Sequence, residues 1–245
     1  MPPESVCAVF FDLGGTLFSY RDAQGLLGPI FAEAIARLGV DAEAAQIGAA
    51  YLRALAEADR CYADRDYYRH RDLFHDTYRE FMREIGASPE DDFYEWLYAT
   101  QRRAMVEDVP LREDCLATLG ELRARGYSLS IVSNIDDDYL LPMVRNFGLE
   151  PHLDHWSSSE EAGSCKPHPG IFELALEKAG CRPEEVVFVG DSRRHDVRGS
   201  REMGMTSVLI DEGAGPSPLD SGDETAPHHV IGELRELLDL LSPRR

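Results

Sequence analysis

Apolar residues in this chain fall into two kinds of run. Short, mostly continuous blocks occur at Val6–Phe11, Leu129–Val132, Val186–Val189 and Ser207–Ile210, each followed by glycine or polar residues. Blocks of this length read as strands buried on both faces of a parallel sheet. Elsewhere apolar residues recur at three- and four-residue steps, the helical period. Pro29 opens a helix through Ile30, Phe31, Ala34, Ile35 and Leu38, which Gly39 ends. Asp41 caps an Ala-rich helix reaching Cys61. From Tyr67 a third pattern runs through Phe74, Tyr78, Phe81, Met82 and Ile85 to Gly86. Ser88-Pro89-Glu90-Asp91 starts a fourth helix, with Trp96, Leu97 and Met105 downstream.

From about residue 110 helices and strands alternate. Helices are predicted from Arg112 to Arg125, from Asp137 to Phe147, from Pro169 to Gly180 and from about Asp196 to Met203. A weak strand falls near His155-Trp156. The polar, Gly/Pro-rich stretch from Glu212 to Pro227 reads as a long loop, and Ile231 to Leu241 as a last helix. This alternation predicts an α/β fold, a Rossmann-like doubly wound parallel sheet. The first strand belongs to that sheet, so the helical block interrupts it. Residues 1–18 and 108–245 form the core, and 19–107 an inserted helical domain.

Charge narrows the partners. A formal net charge of −20 argues against nucleic acid or an anionic membrane surface, both of which require a basic footprint. Five scattered cysteines, Cys7, Cys61, Cys115, Cys165 and Cys181, form no Cys-x-x-Cys pair and suggest reduced thiols in a cytoplasm. No signal peptide or membrane-spanning segment is expected from the short apolar run after the non-basic start. Nothing in the sequence sets an oligomeric state.

The chemistry gathers at strand ends. Asp12 follows the first strand directly, and Gly14 and Gly15 permit a tight turn after it. The second strand finishes in Ser133-Asn134. Lys166 lies in the proline-stiffened segment Cys165-Lys166-Pro167-His168-Pro169, and the strand Val186–Val189 finishes in Gly190-Asp191-Ser192, with Asp196 close behind. In a parallel sheet these ends share one edge, where ligands bind. Three converging carboxylates repel unless a cation offsets them, which implies a hard divalent metal, Mg²⁺ before others.

The segment Asp12-Leu13-Gly14-Gly15-Thr16-Leu17 resembles the first motif of the haloacid dehalogenase (HAD) superfamily, Asp-x-Asp-Gly-Thr-Leu, with the second acid replaced by Gly14. The Ser133, Lys166 and Asp191/Asp196 segments are similar to its second, third and fourth motifs, in order. The inserted domain matches the place of the family's helical cap. The resemblance implies that Asp12 is a nucleophile and that its carboxylate, the Gly14 carbonyl and Asp191 hold Mg²⁺. Asp196 then supports the metal waters or Lys166. It implies that Ser133 and the Asn134 amide bind a phosphoryl oxygen, that Lys166 screens charge between nucleophile and anion, and that Thr16 fixes the loop beside the substrate.

The function so implied is a Mg²⁺-dependent phosphatase of small phosphorylated molecules, slowed because Gly14 has no side chain for general acid–base work. A catalytically reduced member that binds a phosphometabolite or a protein is one alternative, and a phosphotransferase another. The family's dehalogenases carry an aromatic residue at position 14 and end differently after the fourth strand. Its phosphonatases use a cap lysine, whereas the only lysines here are Lys166 and Lys178. His195 reads as a helix-start residue, with a stand-in acid–base role as the alternative. His152-x-x-His155 reads as a loop. The Arg- and Tyr-rich segment from Arg60 to Arg83 reads as a solvated helical face, with anion contact as the alternative.

Overall fold

The computed structural model describes residues 6–211, 213 and 225–244. It divides into two compact units, one of Met1–Ser19 with Leu111–Arg245 and one of Tyr20–Pro110. The first unit carries a six-stranded, fully parallel sheet of β1 (Ala8–Phe11), β2 (Ser128–Ser133), β3 (His155–Ser158), β4 (Val186–Gly190), β5 (Thr206–Ile210) and β6 (His229–Ile231). Its order is β3-β2-β1-β4-β5-β6, so the direction of winding reverses between β1 and β4. That reversal opens a crevice at the carboxyl ends of the two strands.

Strands β1, β2, β4 and β5 form where the apolar blocks predict them. All four residues of β1 have no exposed surface, because β1 lies in the middle with β2 and β4 on either side. Phe11 pairs in register with Ile131 of β2 and Val189 of β4. One face packs Phe10, Val132, Val186 and Phe188 against Ile171, Phe172, Ala175 and Leu176 of the helix Pro169–Ala179. Phe172 meets the edge of Phe188 at 5.3 Å between ring centres.

The second unit holds helices α1 (Tyr20–Arg37), α2 (Ala44–Tyr62), α3 (His70–Glu84) and α4 (Asp91–Glu107). Phe31, Tyr51 and Phe81 bring α1, α2 and α3 together in a ring cluster with centroid distances of 4.3–5.8 Å. Pro29 does not open α1. The helix starts at Tyr20 and carries the proline inside, because burial of Ala23, Phe31, Ala34 and Ile35 along one face outweighs one missing backbone donor.

Other expected bounds shift too. The helix expected from Arg112 begins at Cys115 as α5 (Cys115–Ala124), and that expected from Asp196 is replaced by a wide π-turn, Arg193–Arg198, followed by a short helical turn, Gly199–Glu202. The last helix expected from Ile231 is corrected more strongly. His229–Ile231 is a strand pairing with β5, and only Leu234–Glu236 and Leu237–Leu240 are helical turns. Gly232 interrupts the apolar pattern, and the open edge of β5 captures the residues before it. The loop expected from Glu212 to Pro227 lies outside the described residues, apart from Gly213 and residues 225–227. No helix among the described residues is long and apolar enough to cross a membrane.

Candidate active site

Asp12 is one residue past β1, with its N–H still donating to the Val189 carbonyl at 2.9 Å. The sheet therefore places its carboxylate in the crevice between β1 and β4. Lys166 reaches it from the segment before the helix Pro169–Ala179. Its Nζ donates to Asp12 Oδ1 at 2.6 Å, to Asp196 Oδ1 at 2.7 Å and to the Val132 carbonyl at 2.9 Å. Three acceptors use all three ammonium donors. The Phe188 ring lies 5.3 Å from the same nitrogen.

Both carboxylates and the lysine are almost wholly buried. Burial alone would lower the Lys166 pKa, but the charges of Asp12 and Asp196 outweigh it and hold it above its ordinary value. Burial is also the main influence on Asp196 and pushes its carboxyl up to about 6, with Lys166 opposing the shift and Asp12 adding to it. Asp196 is fixed at its other oxygen as well, where Oδ2 accepts from Ser192 N–H at 2.9 Å.

Oxygens of Asp12, Asp191 and Asp196 lie within 4.8 Å of one another. Asp191 is half-buried. Three carboxylates against the single ammonium of Lys166 leave a charge of about −2 when all are ionised, which a divalent cation on oxygen ligands would balance. The donor set therefore fits a hard metal ion.

The remaining expected residues differ in setting. Ser133 ends β2 and is buried, one residue beyond the carbonyl that holds Lys166. Gly14 is half-buried in the turn after Asp12 and bridges to Phe18. Thr16 is fully buried, its hydroxyl has no hydrogen-bond partner, and its carbonyl accepts from Arg112 Nε at 2.7 Å. His195 is half-buried in the π-turn, where its N–H donates to Ser192 Oγ at 3.0 Å. His152 ends a short helical turn, Glu150–His152, and His155 begins β3.

The Asn134 side chain, Arg112 and Gly190 also support this arrangement, in ways that residue type alone does not state. The Asn134 side chain brackets the backbone of Lys166: Nδ2 donates to its carbonyl at 2.9 Å, and Oδ1 accepts from its N–H at 2.6 Å. Arg112 holds the turn after Asp12, its guanidinium bonding the carbonyls of Gly15 and Thr16 and its N–H that of Leu17. Gly190 ends β4 where a β-carbon would overlap the Asp196 carboxylate. Gly190→Ala is therefore expected to push Asp196 off Lys166. A shift of about 1 Å in a positioned group can cost about 10²-fold in rate, so kcat/KM should fall on that scale. Steady-state kinetics alongside a thermal melt check this.

A doubly wound sheet here carries a lysine-bridged acid pair at its winding reversal, and the chain belongs to the haloacid dehalogenase-like hydrolases, a family that matches residues 6–204. It is 29% identical over 242 residues to a ribulose-1,5-bisphosphate 5-phosphatase of Halopiger xanaduensis, covering 96% of this chain and 99% of that one. It is 34% identical over 163 residues to a phosphoserine phosphatase of Thermus thermophilus, covering 66% of this chain and 62% of that protein's length. Among solved structures, the HAD-hydrolase YfnB from Bacillus subtilis bound to magnesium superposes with a TM-score of 0.79 at 19% identity, over 96% of this chain and 98% of that one. A dehalogenase superposes at 0.74 with 24% identity, over 98% and 99%. Both likenesses concern the fold.

Proposed function

We propose that the protein is a Mg²⁺-dependent phosphatase of small phosphorylated molecules, acting through an aspartyl-phosphate on Asp12. The observation that carries this is the buried bond from Lys166 to Asp12 Oδ1 at the crevice, beside two further acids. The names of the relatives support it, since ribulose-1,5-bisphosphate, phosphoserine and glyceraldehyde 3-phosphate phosphatases are all among them. With Lys166 on Oδ1, the Oδ2 oxygen of Asp12 is the one left to attack phosphorus. A new phosphorus–oxygen bond forms as the bond to the leaving oxygen breaks, and water then attacks the same phosphorus to free phosphate and Asp12. Ser133 and the Asn134 amide donate to phosphoryl oxygens, and Lys166 offsets charge between carboxylate and anion.

Asp12, Asp191, Asp196 and the Gly14 carbonyl are the residues that would hold Mg²⁺. The cation would supply positive charge against the transferring group. We read the helical unit as the family's cap, on its place in the chain between the Asp12 turn and β2. A cytoplasmic setting fits the five free thiols.

Gly14 gives the proposal its particular character. No side chain there can protonate the leaving oxygen or activate water, a service worth typically 10²–10⁴-fold. Turnover is expected to be slow and steeply dependent on leaving-group acidity across a series of phenyl phosphates. Gly14→Asp should raise kcat on alkyl phosphates by about 10²-fold or more and flatten that dependence. A flat series with no gain from the aspartate would remove this account. Tight trapping by beryllofluoride or vanadate with Mg²⁺, without hydrolysis of any ester, would put a binding role in its place. Phosphate delivered to added alcohols or sugars would make the protein a phosphotransferase.

A further inference from the structure

Cys7 and Cys181 lie 174 positions apart, yet their Sγ atoms are 2.9 Å from each other. The sheet holds Cys7, whose N–H donates to the Glu185 carbonyl at 2.8 Å and whose carbonyl accepts from Ser128 N–H at 3.0 Å. Cys181 follows Gly180, whose left-handed backbone ends the helix Pro169–Ala179, and its N–H donates to the Leu176 carbonyl. The thiols thus meet where β1 and β4 begin, at the opposite end of those strands from Asp12.

Both are half-buried, whereas Cys115 and Cys165 are buried and Cys61 is exposed. Two thiolates on a tetrahedral zinc would stand about 3.8 Å apart. No third metal-ligating group joins the pair, the one such cluster among the described residues being Asp12, Asp191 and Asp196. A disulfide needs about 2.05 Å between sulfurs, so the contact closes with a movement under about 1 Å. Two guanidiniums flank the pair in a strongly acidic chain. Arg182 follows Cys181 directly, and Arg244 Nη1 donates to the Cys7 carbonyl at 3.4 Å. Arg182 is itself ion-paired with Glu184 and Glu185.

We propose that Cys7 and Cys181 form a redox modification site for an anionic low-molecular-weight disulfide, of which oxidised glutathione is the probe. The Cys7 thiolate attacks one sulfur of that disulfide, forming a mixed disulfide and expelling one glutathione thiolate. Cys181 then attacks the Cys7 sulfur, closing the intramolecular bond and expelling the second. The two protein thiols are oxidised, the small disulfide is reduced, and the two thiol protons end on the two glutathiones. Burial, with the hydrogen bond to Cys7 adding to it, pushes the Cys181 thiol up to about 12. Once Cys7 is capped, Cys181 lies within bonding reach of its sulfur and resolves the intermediate. The closed bond would tie the start of β1 to the connection before β4 around a loop of 174 positions, constraining the unfolded chain.

The test treats the full-length protein with oxidised glutathione at mildly alkaline pH, followed by peptide mapping without reductant. The expected map joins Cys7 to Cys181 with loss of two hydrogens, places a glutathione adduct on Cys61, and reverts with dithiothreitol. The apparent melting temperature rises by several degrees and phosphatase turnover is unchanged. Cys181→Ser should leave a stable adduct on Cys7. Adducts on Cys7 and Cys181 separately in the wild-type protein, or reaction at Cys61 with none at the pair, would overturn the proposal. That readout is independent of phosphatase activity and stands on the wild-type protein even where the variant folds poorly.

Discussion

Asp12→Asn is expected to lower kcat/KM by at least about 10⁴-fold, the scale on which loss of a covalent nucleophile is felt. The amide keeps the shape of the carboxylate and its acceptor oxygen toward Lys166, so the change removes chemistry more than packing. Asp196 remains as an ionic partner of Lys166 at 2.7 Å, and the variant should melt close to the wild-type protein. Asp12 is also, after burial, one of the influences holding the Asp196 carboxyl at about 6, and its neutralisation should let Asp196 ionise more readily. Rapid acid quenching during turnover should leave a phosphoryl group on the peptide carrying residues 6–17 of the wild-type protein and none on the variant. Undiminished activity in Asp12→Asn would remove the nucleophile from the mechanism altogether.

The parts of this molecule legible from its sequence are those in which residue type itself states the environment. The block Val6–Phe11 has no polar position, so both faces must be covered, and β1 is indeed central with no exposed surface from Ala8 to Phe11. Asp12, Ser133 and Asp191 stand at or just beyond the ends of such blocks, and Lys166 reaches the same edge by bonding Asp12 and Asp196. Two burial patterns misled for physical reasons. Pro29 has the chemistry of a helix start, but the apolar face of α1 extends well before it. Ile231 opens an apolar pattern that runs on to Leu241 and suggests a helix, but it is β-branched and its backbone pairs along the free edge of β5.

What stayed hidden is mostly bonding between side chains and backbone. Arg112 bonds carbonyls about a hundred positions earlier, in the Asp12 turn, and carbonyls have no residue identity to be read. The Asn134 side chain grips the Lys166 backbone for the same reason, although its neighbour Ser133 was marked by position. Gly190 looks like a strand terminator, and only the packing of Asp196 against it shows why a β-carbon is excluded. The Cys7–Cys181 contact is hidden by distance along the chain, as any pairing across a parallel sheet is.

Lys166→Met should be the most damaging substitution for stability and should cost rate as well. It leaves the Asp12 and Asp196 carboxylates buried together without their shared ammonium, and leaves the Val132 carbonyl without that donor. Removing one partner of a buried ion pair costs about 3–5 kcal/mol, which in a domain of this size lowers the melting temperature by roughly 6–20 °C. Loss of a preorganised positive charge beside the transferring group should reduce kcat by about 10²–10³-fold or more. Mg²⁺ offers the same carboxylates an alternative cation, so added Mg²⁺ should raise the melting temperature of Lys166→Met more than that of the wild-type protein. Lys166→Arg sharpens the test. It keeps the charge but spreads it over a planar fork that cannot aim three donors from one point at Asp12, Asp196 and the Val132 carbonyl. Stability should return in part and rate should not, because the shared point of contact organises Asp12 for attack. A Lys166→Met protein with wild-type melting and turnover would mean that the buried bridge holds nothing together and that charge at this position plays no part in the reaction.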